Sequence, residues 1–147
     1  CRCTQKEIAR YLGRISGPLL DRIDMQLEVT AVPVRQITES APEEPSADIH
    51  KRVQAARERQ QKRYAGEGIS CNAELSARQL ETFCPLDDAC RELLGKACDT
   101  YHLSMRAVSR VRKVARTIAD LAGAEEIGRA HLLEALRYRN LEGNYWK

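Results

Sequence analysis

Aromatic residues are scarce in this chain of 147 residues, which has one Trp, one Phe and five Tyr. A core must therefore rest on Leu, Ile, Val and Ala, a mixture that suits helices better than β-sandwiches. Long apolar runs are missing too. None approaches the roughly 20 residues needed to cross a bilayer, so no membrane role is expected. No basic-then-apolar leader pattern is visible, so secretion has no support and a cytoplasmic location is expected. A net charge of +3 is too small to argue for nucleic acid by itself. The only histidines, His50, His102 and His131, stand at no ligand spacing. Cys1 and Cys3 form a close thiol pair, but zinc takes four ligands. No metal site is expected within the chain, and Cys1 with Cys3 would be at most half of one. A Ser–His–Asp order, paired acids and a Gly-rich phosphate loop are also missing, so the chain alone is expected to catalyse nothing.

The cysteines that remain, Cys71, Cys84, Cys90 and Cys98, lie inside or beside helical patterns. They read as small buried hydrophobes of a reduced protein rather than as disulfides. The chain opens on Cys rather than Met and reads as an excised piece of something longer.

Apolar spacing at Ile8, Tyr11, Leu12 and Ile15 predicts a helix over 5–15, stopped by Ser16-Gly17-Pro18. Pro18 suits a first helical turn, so 19–22 can form a short one. Alternation at Met25, Leu27 and Val29 predicts a half-buried strand, which needs a sheet that this sequence does not contain. Residues 38–45 carry two prolines and no periodicity and read as a linker. Ser46 is expected to cap a helix over 47–64 whose apolar side is Ile49, Val53, Ala56 and Tyr64. A short helix is predicted over 76–83, another from Pro85 to about Tyr101, and the longest one after the cap Ser104. Its predicted stripe is Ala107, Val111, Val114, Ile118 and Leu121, closed by Gly123. A last helix over 125–138 would bury Ile127, Ala130, Leu133 and Leu136. Residues 46–138 thus predict four or five helices in a compact bundle.

Two arginines stand at helix ends. Arg22 follows Leu19-Leu20-Asp21 and precedes Ile23-Asp24; it is either a surface arginine paired with Asp21 or Asp24, or a guanidinium held out toward a phosphate of another subunit. Arg106 sits two residues after the cap Ser104, where a cation opposes the helix dipole and hints at an anion nearby. It is equally an ordinary solvated arginine beside Arg110 and Lys113. Along the first bundle helix, Lys51, Arg52, Arg57, Arg59, Lys62 and Arg63 could contact a phosphate backbone. With only Tyr64 among them, base stacking has little support, and a solvated helix face is the plainer account.

Taken together, Cys1-Arg2-Cys3-Thr4, Ile15-Ser16-Gly17-Pro18-Leu19-Leu20-Asp21-Arg22-Ile23-Asp24-Met25, Arg52-Val53, Ala56-Arg57, Gln60 and Arg63, Leu103-Ser104-x-Arg106-Ala107, Val114 through Leu121 and Tyr138-Arg139 resemble the C-terminal part of the magnesium-chelatase-like AAA+ ATPases, in their competence-associated bacterial branch. The resemblance covers nearly the whole chain. It implies a mainly α fold: residues 1–37 as the truncated helix–strand end of an AAA+ core, 38–45 as linker and 46–147 as the helical lid. It also implies ATP, with Mg, bound between core and lid and between adjacent subunits of a homo-oligomeric ring, a hexamer. Arg22 would then be the arginine finger, with Asp21 and Asp24 holding it, and Arg106 the sensor-2 arginine. Arg52, Arg57 and Arg63 would be candidate DNA contacts of a motor that drives branch migration.

Alternatives are a chelatase-type subunit that drives metal insertion into a porphyrin, and a stand-alone helical module that binds nucleic acid or protein. The Walker A loop, the Walker B acids and the Cys-Pro-Cys-Gly segment of the family are absent. The chain by itself is therefore expected neither to hydrolyse ATP nor to hold it tightly. Residues before about 45 are expected to be poorly ordered or packed without their natural partners, and the bundle after 46 to be well formed.

Overall fold

The structure, a computed structural model, describes residues 2–29, 31–33 and 43–139. Most of the predicted linker, residues 38–42, lies outside the described residues, as do Cys1 and 140–147. The described residues form helices and no strand. Residues 25–29, 31 and 32 of the predicted strand lie in no strand or helix, because an isolated strand leaves its backbone donors and acceptors unpaired.

α1 (Gln5–Leu12) starts at Thr4, whose hydroxyl accepts from the Glu7 amide while the Glu7 carboxylate accepts from the Thr4 amide at 2.7 Å. It ends one turn short of Ile15 at Gly13 and buries no residue. α2 (Gly17–Leu20) carries Pro18 in its first turn and buries Leu20. The bundle begins with α3 (Ser46–Arg63), continues through a 3₁₀ turn (Asn72–Glu74), α4 (Ala77–Phe83), α5 (Asp88–Tyr101) and α6 (Met105–Leu121), and closes with α7 (Arg129–Arg137).

Several starts follow from side-chain caps. Ser76 and Gln79 exchange bonds at the start of α4. The Asp87 carboxylate accepts from the Cys90 amide at 2.7 Å, so α5 opens after Asp87 rather than at Pro85. Ser104 accepts from the Ala107 amide at 3.1 Å, as its spacing predicts. Ser46 is not a cap: the helix already includes it, and Pro45 stands in the cap position without a side-chain bond. α7 starts four residues later than predicted, at Arg129, because Gly128 takes the cap position and donates its amide to His131 Nδ1 at 3.0 Å. α5 ends at His102 in the left-handed region (φ 51°), and Gly123 (φ 75°) turns the chain after α6.

α6 is the central element; α3, α4, α7 and the 3₁₀ turn all pack on it. Its buried stripe is Ala107, Val111, Ala115 and Ala119, a straight i, i+4 row. The predicted Val114 and Ile118 flank that row half-buried, and Leu121 is exposed. Alanines there let neighbouring helices approach closely. Leu80, Cys84, Leu86, Cys90, Leu94, Ile127, Leu132 and Ala135 fill the space around it, with Tyr64 edge-on to Phe83 at 5.1 Å between ring centroids. Two sequence expectations turn out otherwise. Ile49 and Val53 are 40% and 46% exposed, because α3 buries only Ala56 and Gln60. α7 turns Leu132 and Ala135 inward, leaving Leu133 exposed.

Candidate functional site

α2 lies against the start of α6. Gly17, Pro18 and Asp21 share a groove of about 340 Å³ with His102, Ser104 and Arg106. Arg106 is exposed on the first turn of α6 and has no hydrogen-bond or ion-pair partner among the described residues. Arg22 is also exposed, and its guanidinium donates only to the Pro18 carbonyl, at 3.3 Å. Neither Asp21 nor Asp24 pairs with it, which corrects the expectation that they hold it. Asp21 instead accepts from the Ser104 hydroxyl at 2.7 Å and from Arg139 Nη2 at 3.2 Å. Asp24 is paired with Arg110. Arg139 also donates to the Ile23 carbonyl at 2.6 Å, and the Gln26 amide donates to the Tyr138 carbonyl at 2.7 Å. Segment 20–26 is thus docked on the bundle, with Leu20 and Gln26 buried. α1 has no such anchorage, and its Tyr11 is 70% exposed.

The candidate DNA contacts separate. Arg57 is exposed on α3. Arg52, also exposed, makes a two-pronged bond to Glu44 at 2.8 and 3.0 Å. Arg63 points inward: its fork grips the Asp120 carboxylate at 3.0 and 2.5 Å, which raises its already high pKa. Arg63 is therefore a structural group rather than a surface one.

Asp120 is the hub of a buried polar network that sequence reading missed. It is fully buried and also takes Asn72 Nδ2 at 2.9 Å and Arg116 Nη2 at 3.1 Å. Arg116 is buried as well and binds the Ala124 and Glu125 carbonyls at 2.8 and 2.7 Å, fastening the chain just before α7. Burial lowers its pKa, opposed by the Asp120 charge. Asn72 receives the Tyr64 hydroxyl at 2.6 Å and donates its amide to Gln60 at 3.1 Å. The available signal was the Arg116–Asp120 pair at i, i+4 on a stretch otherwise rich in buried alanine and valine.

Among the described residues, no group of three or more His, Cys, Asp or Glu could hold a metal. Cys3 is exposed, and its expected companion Cys1 lies outside the described residues. Cys84 and Cys90 are free and buried, while Cys71 and Cys98 are half-buried. Burial pushes the Cys84 thiol up to about 11 from its ordinary 9.0. The unfolded chain ionises this thiol first, so the associated stability is intact below pH 9.0 and is lost as pH rises toward 11. Urea denaturation should show a decline over that window to which Cys84 contributes on the order of 2 kcal/mol; Cys84→Ala should remove that share and leave the share of Cys90, whose thiol is likewise pushed up to about 11 by burial. An unchanged slope in the variant would show that other groups carry the alkaline loss.

The C-terminal domain model of the magnesium chelatase subunit ChlI matches residues 43–139, and the magnesium chelatase subunit ChlI model matches residues 1–37. The chain therefore belongs to the magnesium chelatase ChlI family, and its helical bundle is the family's C-terminal lid. It is 42% identical over 142 residues to the uncharacterised protein YifB of Salmonella typhimurium, covering 96% of this chain and 27% of that protein. Competence protein ComM of Haemophilus influenzae is 42% identical over 139 residues, covering 94% of this chain and 26% of that protein. An uncharacterised protein of Mycobacterium bovis, Mb2921c, is 34% identical over 139 residues, covering 95% of this chain and 27% of that protein. The chain spans about a quarter of the length of these relatives. Among the described residues, no helix is long and apolar enough to cross a membrane.

Proposed function

We propose that this chain is the finger-and-lid portion of a cytoplasmic ring ATPase that acts on DNA. The observation that carries this reading is the pair of exposed guanidinium groups, Arg22 just after α2 and Arg106 in the groove between α2 and α6, neither neutralised by a carboxylate among the described residues. Unpaired arginine forks at helix ends suit the oxygens of a triphosphate. Arg106 would bind ATP, with the helix dipole of α6 adding to the attraction. Arg22 would reach the γ-phosphate held by the neighbouring subunit of a homo-oligomeric hexamer. Both groups are cations, so Mg²⁺ is assigned to the remainder of the protein. When bound, it would neutralise charge on the phosphates. The competence name of the Haemophilus relative supports DNA over a porphyrin as the working substrate.

Arg106→Ala in the full-length ATPase should weaken ATP binding about tenfold, the scale of one lost charge-assisted bond. Titration calorimetry that finds affinity within twofold of wild type would remove Arg106 from the site. For DNA, Arg57 on the exposed face of α3 is the group to test. Arg57→Glu should weaken DNA binding across sequences and reduce the salt slope by about one, whereas Arg63 belongs to the interior and is not part of that surface. An unchanged salt slope would place the DNA elsewhere.

A further inference from the structure

A second groove, of about 260 Å³, lies where Asp24 and Met25, the 3₁₀ turn at Ala73, α6 and the end of α7 meet. It shares no lining residue with the groove that holds Arg106. Its wall is mostly apolar. Val114 and Ile118 are half-buried, and Met25 and Leu121 are exposed, so together they leave an apolar surface open to solvent. An apolar concavity with a few polar groups in its wall is the usual form of a small-ligand site.

Most polar groups of this wall are already engaged. Asp24 is paired with Arg110. Thr117 accepts from Asn72 Nδ2 at 2.9 Å and donates to the Lys113 carbonyl at 3.0 Å. The Tyr138 hydroxyl donates to Glu134 at 3.3 Å, and Glu134 itself is exposed. Lys113 differs. Its ammonium has three donors, yet among the described residues it makes one bond, to the Ala73 carbonyl at 2.8 Å, and no ion pair. Burial and the neighbouring Arg110 charge both disfavour the charged amine and lower its pKa. An acceptor with negative charge would satisfy the remaining donors and offset both effects. A neutral or cationic ligand would do neither.

We propose that this groove binds a small apolar carboxylate, with its alkyl body against Met25, Val114, Ile118 and Leu121 and its carboxylate on Lys113 Nζ. Lys113 sets the charge that the site accepts, and the aliphatic wall sets the apolar body. Exposed Glu134 opposes the same ligand from the solvent side. The site is additional to the nucleotide reading above and does not rest on it.

The test is equilibrium dialysis of octanoate against the full-length protein, with octanol as the uncharged probe and thermal melting as the control for folding. One saturable octanoate site per chain is expected, with octanol bound at least about tenfold more weakly, the scale of one charge-assisted bond. Lys113→Met should weaken octanoate by the same factor and abolish its preference over octanol, whereas Lys113→Arg should keep most of it. Glu134→Gln should tighten octanoate by about twofold, because it removes an exposed like charge. Leu121→Trp, at an exposed position, should fill the groove and remove octanoate binding with no change of charge. Octanoate should also raise the melting temperature of the wild type more than that of Lys113→Met. Absence of a saturable site overturns the proposal, as it would if another part of the protein fills the groove. Octanol bound as well as octanoate, or full octanoate affinity in Lys113→Met or Leu121→Trp, overturns it too. None of these results depends on Arg22 or Arg106, so the ring-ATPase reading stands or falls separately.

Discussion

Arg22→Ala in the full-length protein is expected to reduce ATP turnover by about 10³-fold or more while ATP binding stays close to wild type. The physical reason is that a finger meets charge that develops on the transferred phosphoryl group, so its removal is felt in the transition state rather than in binding. The readout is clean because Arg22 does almost nothing for the fold. It is exposed, its one bond is a 3.3 Å contact to the Pro18 carbonyl, and the acids on either side are occupied elsewhere. Loss of such a side chain changes stability by about 0.5 kcal/mol or less. Mixing the variant with a subunit that lacks a working phosphate loop should restore some turnover, since each supplies what the other lacks across an interface. No recovery in the mixture would place Arg22 in its own subunit's site or outside any site.

The largest effect on folding is expected at Asp120. Asp120→Ala leaves Arg63 and Arg116 without their carboxylate in the interior and takes a partner from Asn72. Breaking one side of a buried ion pair costs about 3–5 kcal/mol, mostly from the charge left uncompensated. For a domain of this size the melting temperature should fall by at least about 10 °C in a circular-dichroism melt. Arg63→Met in the Asp120→Leu background should recover part of the loss, because removing both charges removes the penalty. A melting temperature unchanged in Asp120→Ala would mean that water replaces the carboxylate and that the network is not closed.

Much of the bundle was legible from local chemistry. The cap at Ser104, the stop at Gly123 and the opening turn at Pro18 act within three or four residues, so their patterns can be read along the chain. Helical spacing located every bundle helix, but which side of each helix faced inward was less secure. On α3, Ile49 and Val53 have the right spacing to be buried, yet the helix rests on α6 only through its later turns. On α7, Leu132 and Leu133 are equally apolar, and only the direction from which α6 approaches chooses between them.

Charged residues show the same division more sharply. Their identity marked Arg22 and Arg106 as groups able to meet a phosphate, and family resemblance assigned their order. Their surroundings depended on pairs far apart along the chain: Ser104 with Asp21, Arg110 with Asp24, Arg139 with Asp21 and Arg63 with Asp120. Local sequence determined the helices, their caps and the presence of two phosphate-competent arginines, since hydrogen bonding within a turn and side-chain periodicity act at short range. Tertiary structure alone decided which acids were taken, which arginine was buried and that residues 21–26 are fastened to the bundle, because such pairing requires chain segments that meet only once the core has formed.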